Sequence, residues 1–456
     1  MEIRKPAATE RVKLWERPAA LPAACMLASA MVVAAHISGS TVPILLSLAA
    51  CLAVIVWGCR QSKAVPVLLF FLPWSPLMKQ APGSISVYTI GLIVCCFFAL
   101  ALGGMKLTVR QVVPAACIMA MTLASKILQG NSITKDYLVF LIMLFLFPCV
   151  TRCCARSISF KSATLFFACG IITAALTARF TAHYANISQY IVVETYLTVT
   201  RLSGFYGDPN FYAAHISACL AGMFVLLSCE KDRLQQFLLA VVSVMLLYCG
   251  LLSASKTFII TVACLLLFWL PILLERSGYG TERIRVLIGL LCAGVFILLS
   301  PAFRQLLKIV DARFSEGEGI AGLTTNRTDL WLQYLYSFSE DLVLTLFGVG
   351  YTSINLLRKA SHNSVIQSVY QFGLLGIPAL LAWIGNMLTG MFPDGKLPSA
   401  GWKYALLLCV GAFLPWMALD MLLFDEFFLI PVYVLLGLSF AADRRSIVTA
   451  EKEVSP

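Results

Sequence analysis

Three short polar segments stand out from an otherwise apolar chain. The first reads Arg201-Leu-Ser-Gly-Phe-Tyr-Gly-Asp208-Pro-Asn210 and leads directly into an apolar run. Gly204 and Gly207 permit a tight backbone turn, and the side chain of Asp208 or Asn210 can cap the helix that follows. Taken alone, this segment is most simply a helix cap beside an arginine at a membrane interface.

The other two segments also adjoin apolar runs. One is Asn326-Arg327-Thr-Asp-Leu-Trp331, and the other is Ser361-His362-Asn363-Ser364. Between the first and second segments, Lys256 ends the small-residue run Ser253-Ala-Ser. Each of these features also has a purely structural interpretation. The Arg327 segment can be a surface amphipathic helix, His362 can serve only as a hydrogen-bonding group, and Lys256 can reach along apolar surface towards water.

The residue types in these segments suit anion binding and proton transfer. Arginine is permanently charged and binds phosphate oxygens through two parallel hydrogen bonds. Histidine is the side chain that titrates closest to neutral pH, so it can act as a base. The chain's four histidines are scattered and form no metal-binding pattern with its cysteines.

The composition of the chain indicates whether these segments belong to a soluble protein or a membrane protein. Of 456 residues, 60% are hydrophobic and 12% are charged, and the mean hydropathy is +0.86. Soluble domains carry roughly 25% charged residues. The net charge of +11 is spread over short segments between apolar runs, which is typical of membrane topology and argues against nucleic acid as a partner.

The sequence predicts an all-α, polytopic membrane protein, since a helix needs about 20 apolar residues to cross a bilayer. Two of the predicted spans are short, so the number of spans is twelve to fourteen. The predicted spans are 20–38, 41–58, 64–78, 87–104, 112–128, 137–150, 162–179, 209–229, 235–252, 257–274, 286–300, 364–390, 404–420 and 427–441.

The distribution of basic residues predicts that both termini are cytoplasmic. With that orientation, every cytoplasmic connection carries at least two lysines or arginines, as the positive-inside rule expects. Two outer connections are long, and we expect amphipathic helices at 302–314 and 327–340 to lie on the outer membrane face. The predicted layout is a tail (1–19), N-terminal helices (20–180), a catalytic region (181–390) with outer loops at 181–208 and 301–363, C-terminal helices (391–441) and a tail (442–456).

Taken together, the polar segments resemble the O-antigen ligase and O-antigen polymerase family. That family shows an arginine followed by Gly-Phe and Pro-Asn entering a span, a small Ser-x-Ser-basic segment, an arginine ahead of a Trp helix with Gly-x-Gly, and His-Asn before a span. The matching positions here are Arg201, Ser253–Lys256, Arg327 and His362-Asn363, and the resemblance covers 195–380. Lys256 departs from the pattern, because the family often has arginine there and lysine has no bidentate fork.

The resemblance implies a reaction, namely transfer of a glycan from a polyprenyl (undecaprenyl) diphosphate carrier to a sugar hydroxyl on the outer face of a bacterial cytoplasmic membrane. It implies no metal or other cofactor. The implied partners are the lipid-linked glycan donor, the acceptor sugar and the bilayer. The expected roles are diphosphate binding by Arg201 and Arg327 with help from Lys256, proton acceptance or acceptor orientation by His362, and shaping of the site by Asp208, Asn210 and Asn363.

Two other interpretations stay open at the level of sequence. A lipid-linked oligosaccharide flippase also has about fourteen spans, but it should carry charges that line a cavity within them. An acidic site at Asp420, Asp425 and Glu426 is the third possibility, although we expect these residues simply to form a non-basic outer loop. Polymerase and ligase activities are not distinguished, and neither are the sugar and the acceptor.

Overall fold

The computed structural model describes most of the chain. Its described residues are 19–81, 83–103, 108–154, 159–191, 195–196, 199–276, 308, 311, 327–352, 356, 360–390, 401–421 and 425–454. The predicted span 286–300 lies outside them, and so does the predicted helix 302–314 apart from two isolated positions.

The described residues are almost entirely helical, as the sequence predicts. The helices are α1 (Ala20–Ser38), α2 (Thr41–Arg60), α3 (Ala64–Phe71), α4 (Val87–Gly103), α5 (Val109–Leu128), α6 (Lys135–Cys154), α7 (Phe160–Thr181), α8 (Ala185–Ser188), α9 (Pro209–Cys229), α10 (Arg233–Leu252), α11 (Lys256–Arg276), α12 (Arg327–Glu340), α13 (Leu342–Phe347), α14 (Ser364–Gly390), α15 (Trp402–Phe413) and α16 (Glu426–Val454). Short 3₁₀ turns, Leu72–Trp74 and Leu414–Ala418, extend α3 and α15. An antiparallel pair, β1 (Thr195–Tyr196) and β2 (Val199–Thr200), lies in the predicted loop 181–208.

Eight of the described helices are long and apolar enough to cross a membrane: α1, α2, α5, α7, α9, α10, α11 and α14. Their outward side chains are apolar too, for example Leu27 (64% exposed), Leu46 (63%) and Leu267 (65%). Contiguous apolar surface of this kind needs lipid or a partner to cover it. These helices are those of a multi-pass membrane protein.

The centre of the bundle is α9. In the most apolar stretch of α9, 89% of the residues are buried, against 28% in that of α10 and 22% in that of α11. Helices α7, α10, α11, α15 and α16 all pack against it. Because α9 begins at Pro209, directly after Asp208, the first polar segment is held at one end of the most enclosed helix.

A second packing unit joins the predicted outer loop 301–363 to the bundle. Helix α12 is present where the sequence predicts a helix at 327–340, and α12 and α13 pack on α14 through Tyr334, Leu344 and Tyr370. The Gly348-Val-Gly350 turn then crosses α14 where that helix is interrupted at Gly373 (φ +65°). A Cβ added at Gly348 would lie 2.6 Å from the Gly373 nitrogen, so only glycine permits this close crossing.

Helix α3 and its 3₁₀ extension form a short apolar element of 11 residues, Ala64–Trp74, shorter than the apolar elements Val87–Ala101, Trp402–Ala418 and Glu426–Ala442. Pro73 within the extension and the turns that follow it end the helix well before a full span. The chain next runs through a turn region, closed by the hydrogen bond from Val87 N to Met78 O (2.8 Å), and enters α4. The sequence predicts a longer element here, 64–78, because the residues remain apolar past the proline.

Candidate functional site

Arg201 is held by the turn between α10 and α11. Its Nε donates a hydrogen bond to the Ser253 carbonyl oxygen (3.0 Å), and Leu202 N donates to the Leu252 carbonyl (2.8 Å). The side chain is only 8% exposed. The first polar segment and the small-residue run before Lys256 are therefore neighbours, although about 50 residues separate them.

Asp208 and Asn210 continue this contact. One Asp208 carboxylate oxygen accepts hydrogen bonds from the backbone nitrogen and the side-chain amide of Asn210, both at 2.7 Å, which caps α9 as the sequence predicts. The Asn210 side-chain oxygen accepts a hydrogen bond from the Ser255 hydroxyl (2.7 Å). Lys256, the next residue, begins α11 and is 6% exposed, so it is more enclosed than an interfacial lysine that reaches to water.

Arg327 and Asn363 meet at the 3₁₀ turn after α15. Arg327 Nη1 donates to the Ala418 carbonyl oxygen, and Asn363 Nδ2 donates to the Met417 carbonyl oxygen at 3.2 Å. The hydroxyl of Ser364 donates to the Leu419 carbonyl (2.7 Å). The second and third polar segments thus share one docking surface, the backbone of 417–419.

The charge state of His362 depends on a residue from each of the two groups. Burial lowers the pKa of its imidazole, the positive charge of Arg327 lowers it further, and the negative charge of Asp208 partly opposes both effects. Since such effects act over short distances, the half-buried His362 is close to a residue from each of the other two segments. A lowered pKa keeps the imidazole neutral near pH 7, the form that accepts a proton.

The backbone at this site is strained. His362 (φ +50°) and Ala254 (φ +50°) adopt left-handed conformations that side-chain-bearing residues rarely take. Ala254 lies in the turn that holds Arg201, and the Trp331 indole fixes the neighbouring residue of His362 by donating to the Ser361 carbonyl (2.9 Å). Strain of this kind persists where the surrounding structure enforces it and is concentrated at functional sites.

The structure therefore brings the sequence-predicted site residues together in one region. Arg201, Asp208, Asn210 and Lys256 form one hydrogen-bonded or adjacent group, Arg327 and Asn363 form a second, and His362 joins them. Arginine guanidinium groups and a neutral imidazole are the residue types that can bind an anionic group and accept a proton beside it. The described residues contain no group of three or more His, Cys, Asp or Glu side chains that could hold a metal ion.

Comparison with known proteins adds no assignment: no family model and no curated protein matches the chain. The resemblance to O-antigen ligases and polymerases therefore remains a prediction from the polar segments and their spacing.

The acidic residues before the last helix are more enclosed than the sequence indicates. The exposed fractions of Asp420 and Glu426 are 3% and 2%. Glu426 Oε1 lies 3.0 Å from His215 Nε2 in α9 and 3.0 Å from the Tyr206 hydroxyl. The carboxylate is buried because it has partners on two other segments, and neither partner is adjacent in sequence.

Sequence reasoning also missed the turn that carries Ala254 and the backbone docking surface 417–419. The small-residue run Ser253-Ala-Ser is visible in the sequence, but no local pattern reveals that Ser253 contacts Arg201 and Ser255 contacts Asn210. His215 and Glu426 did offer a signal, because ionisable residues next to or within an apolar run are rare and usually functional.

Proposed function

We propose that the protein is a membrane glycosyltransferase of twelve to fourteen spans with cytoplasmic termini. It transfers a glycan from a polyprenyl diphosphate carrier to a sugar hydroxyl on the outer face, and so polymerises or ligates a cell-surface polysaccharide. The observation that carries the proposal is the link between the three polar segments: the charges of Arg327 and Asp208 both act on His362, and the turn that holds Arg201 also contacts Asn210.

The proposed step is a displacement at the anomeric carbon of the donor sugar. The acceptor oxygen forms a bond to that carbon while the bond from the carbon to the diphosphate oxygen breaks. The bonding electron pair leaves with the lipid diphosphate, whose growing negative charge is stabilised by Arg201 and Arg327 with Lys256 nearby. His362 accepts the proton of the acceptor hydroxyl, which needs the neutral imidazole that its lowered pKa provides.

The supporting side chains keep this arrangement in place. Asp208 accepts a hydrogen bond from Asn210, and Asn210 accepts one from the hydroxyl of Ser255, the residue before Lys256. Asn363 donates a hydrogen bond to the Met417 carbonyl. Because these contacts fix the backbone around the cations, the charged groups need little reorganisation when the leaving group develops charge. Their expected role is positioning.

A lipid-linked oligosaccharide flippase is the alternative. The buried His215–Glu426 pair favours it, since paired ionisable groups at membrane depth often mark a transport path. Against it, the arginines of the candidate site donate hydrogen bonds to backbone carbonyls at helix ends.

The deciding experiment uses purified protein in liposomes with a labelled polyprenyl-diphosphate glycan and an acceptor glycan. We expect transfer of label to the acceptor and release of polyprenyl diphosphate. Arg233→Lys is a matched control for arginine-to-lysine variants of the site, because Arg233 is exposed and lies at the predicted cytoplasmic face. Movement of the lipid between leaflets without any transfer would overturn the enzyme and support the flippase.

A further inference from the structure

A cavity of about 510 Å³ opens beside the candidate site. It is enclosed by the turn region between α3 and α4, the first turns of α6 and α16, and Tyr206-Gly207 of the first polar segment. Ligand sites for small molecules typically have volumes of about 300–1,000 Å³. Because Gly207 is bonded to Asp208, this cavity is continuous in sequence with the candidate site and yet distinct from its arginines.

The polar lining carries ionisable groups of both signs. Lys79 and Lys135 are opposed by Asp136, Asp425 and Glu426. The cations of the candidate site suit a diphosphate, whereas this cavity has no excess of positive charge to attract a second anion. Its chemistry instead suits a neutral molecule with many hydroxyl groups.

Asp425 is the central polar group of the cavity. Its Oδ2 accepts a hydrogen bond from the Thr89 hydroxyl (2.8 Å), which fixes the carboxyl towards the first turn of α4. Burial raises the pKa of this carboxyl to about 7, with Glu426 adding to the rise, and Thr89 and Lys79 opposing it. Near neutral pH the group therefore exists in both forms, so it can accept from a hydroxyl or donate to one.

One wall of the cavity is aromatic. The rings of Phe140 and Tyr351 stack with their centroids 4.0 Å apart, and both residues line the space. Rigid aromatic faces next to a few fixed polar groups are the usual composition of a site that binds a partly apolar, partly polar ligand. A pyranose ring has this character, with C–H groups on its faces and hydroxyls at its edge.

We propose that this cavity binds the acceptor: a neutral sugar at the end of a glycan, with Asp425 and Thr89 contacting its hydroxyls and Tyr351 with Phe140 forming the wall against its ring. This inference rests on the proposed function, because it assigns the second substrate of the same reaction. It places the acceptor against Tyr206-Gly207, next in sequence to Asp208 of the candidate site.

The test measures sugar binding without any transfer. Purified full-length protein in nanodiscs is examined by saturation-transfer NMR with the methyl glycosides of glucose, galactose, mannose, rhamnose and N-acetylglucosamine. We expect at least one glycoside to bind, and Asp425→Asn to weaken that binding by about tenfold or more because it removes the charge-assisted hydrogen bond. Asp232→Asn is the matched control, since Asp232 caps α10 far from the cavity in sequence and fold.

A second pair of variants tests the space itself and does not depend on the buried carboxyl. Ile85 lines the cavity and is 43% exposed, so Ile85→Trp should fold and block the opening. Ile90, 40% exposed and outside the lining, gives the matched control Ile90→Trp. Binding should disappear in the first variant and persist in the second.

The outcomes separate this inference from the proposed function. If the wild type transfers glycan but binds no glycoside, or if Ile85→Trp and Asp425→Asn bind as well as the wild type, the cavity is not the acceptor site and the enzyme proposal survives. If glycoside binding is lost in Ile85→Trp but the wild type transfers nothing, the cavity binds sugar and its role as an acceptor site is overturned together with the enzyme.

Discussion

Replacing Arg201 with lysine keeps the positive charge and removes the planar fork. In the structure Arg201 is 8% exposed, and its Nε is committed to the Ser253 carbonyl at 3.0 Å. The proposed role needs parallel hydrogen bonds from two guanidinium nitrogens to the diphosphate. A lysine ammonium can satisfy the carbonyl or approach the diphosphate, but it cannot make two parallel bonds to phosphate oxygens.

The size of the effect follows from the role proposed. A preorganised group that stabilises developing charge in a sheltered site contributes about 2–4 kcal/mol. At about 1.36 kcal/mol per tenfold change in rate, kcat/KM should fall by about 30- to 900-fold. Arg201→Lys should therefore lose nearly as much activity as Arg201→Ala. Arg327→Lys should likewise lose nearly as much activity as Arg327→Ala. Because both arginines act on one leaving group, the double variant should lose less than the sum of the two single losses.

The assay is glycan transfer from a labelled donor lipid, with the thermal unfolding midpoint of each variant measured in the same detergent. Arg233→Lys, exposed at the start of α10, should change neither quantity. If Arg201→Lys lowers the unfolding midpoint as well as the activity, the loss would point to the structural contact with Ser253 alone. Full activity in both Arg201→Lys and Arg327→Lys would refute the bidentate role.

Further predictions concern the other site residues and the topology. His362→Ala should remove most transfer at normal membrane abundance, and in the wild type the rate should fall only below about pH 6.5, because the pKa of His362 is lowered from that value; full activity of the variant from pH 5 to 8 would make the residue structural. Lys256→Arg should be tolerated and Lys256→Met should not, measured by transfer yield, and the reverse order would remove its role as a cation. Cysteines introduced at 183–200 or 315–325 should react with impermeant reagents in intact cells, and reaction only after permeabilisation would reverse the topology. Gly348→Ala should lower the free energy of unfolding by about 1–3 kcal/mol through backbone strain and the close crossing of α14; an unchanged unfolding midpoint would contradict that crossing.

Much of the helical architecture was predictable because lipid imposes a simple rule. Backbone polar groups have no water to bind in a bilayer, so apolar runs of sufficient length must be helices. Helix α9, predicted at 209–229, begins and ends at those residues, and its Asp208 cap was readable from Asp-Pro-Asn. Helix α16 shows the limit: it continues to Val454, beyond the predicted span, because polar residues can extend a helix past an apolar run.

The contacts of the site were less accessible to sequence reasoning. Hydrophobic periodicity does not reveal that Arg201 binds the carbonyl of Ser253, or that Asn363 binds that of Met417. Backbone carbonyls are the same at every residue, so only the packed helices decide which one is within reach. The proximity of Arg327 and His362 was inferred through the resemblance to a family, and the burial of Glu426 depended on His215, which is 211 residues away.

The short element Ala64–Trp74 has a consequence for how a polymer would be handled. Eleven residues at about 1.5 Å each rise about 16 Å, roughly half of a hydrocarbon core of about 30 Å. With both termini cytoplasmic, as proposed, this element starts at the cytoplasmic interface. The turn after Trp74 then lies near the middle of the bilayer, and Ser75 and Pro76 at that turn line the cavity. A binding place sunk below the headgroups admits the tip of a chain and excludes its middle. Such a recess would restrict the proposed enzyme to chain ends as acceptors. Each glycan would then offer one place for growth, and its length would increase without branching.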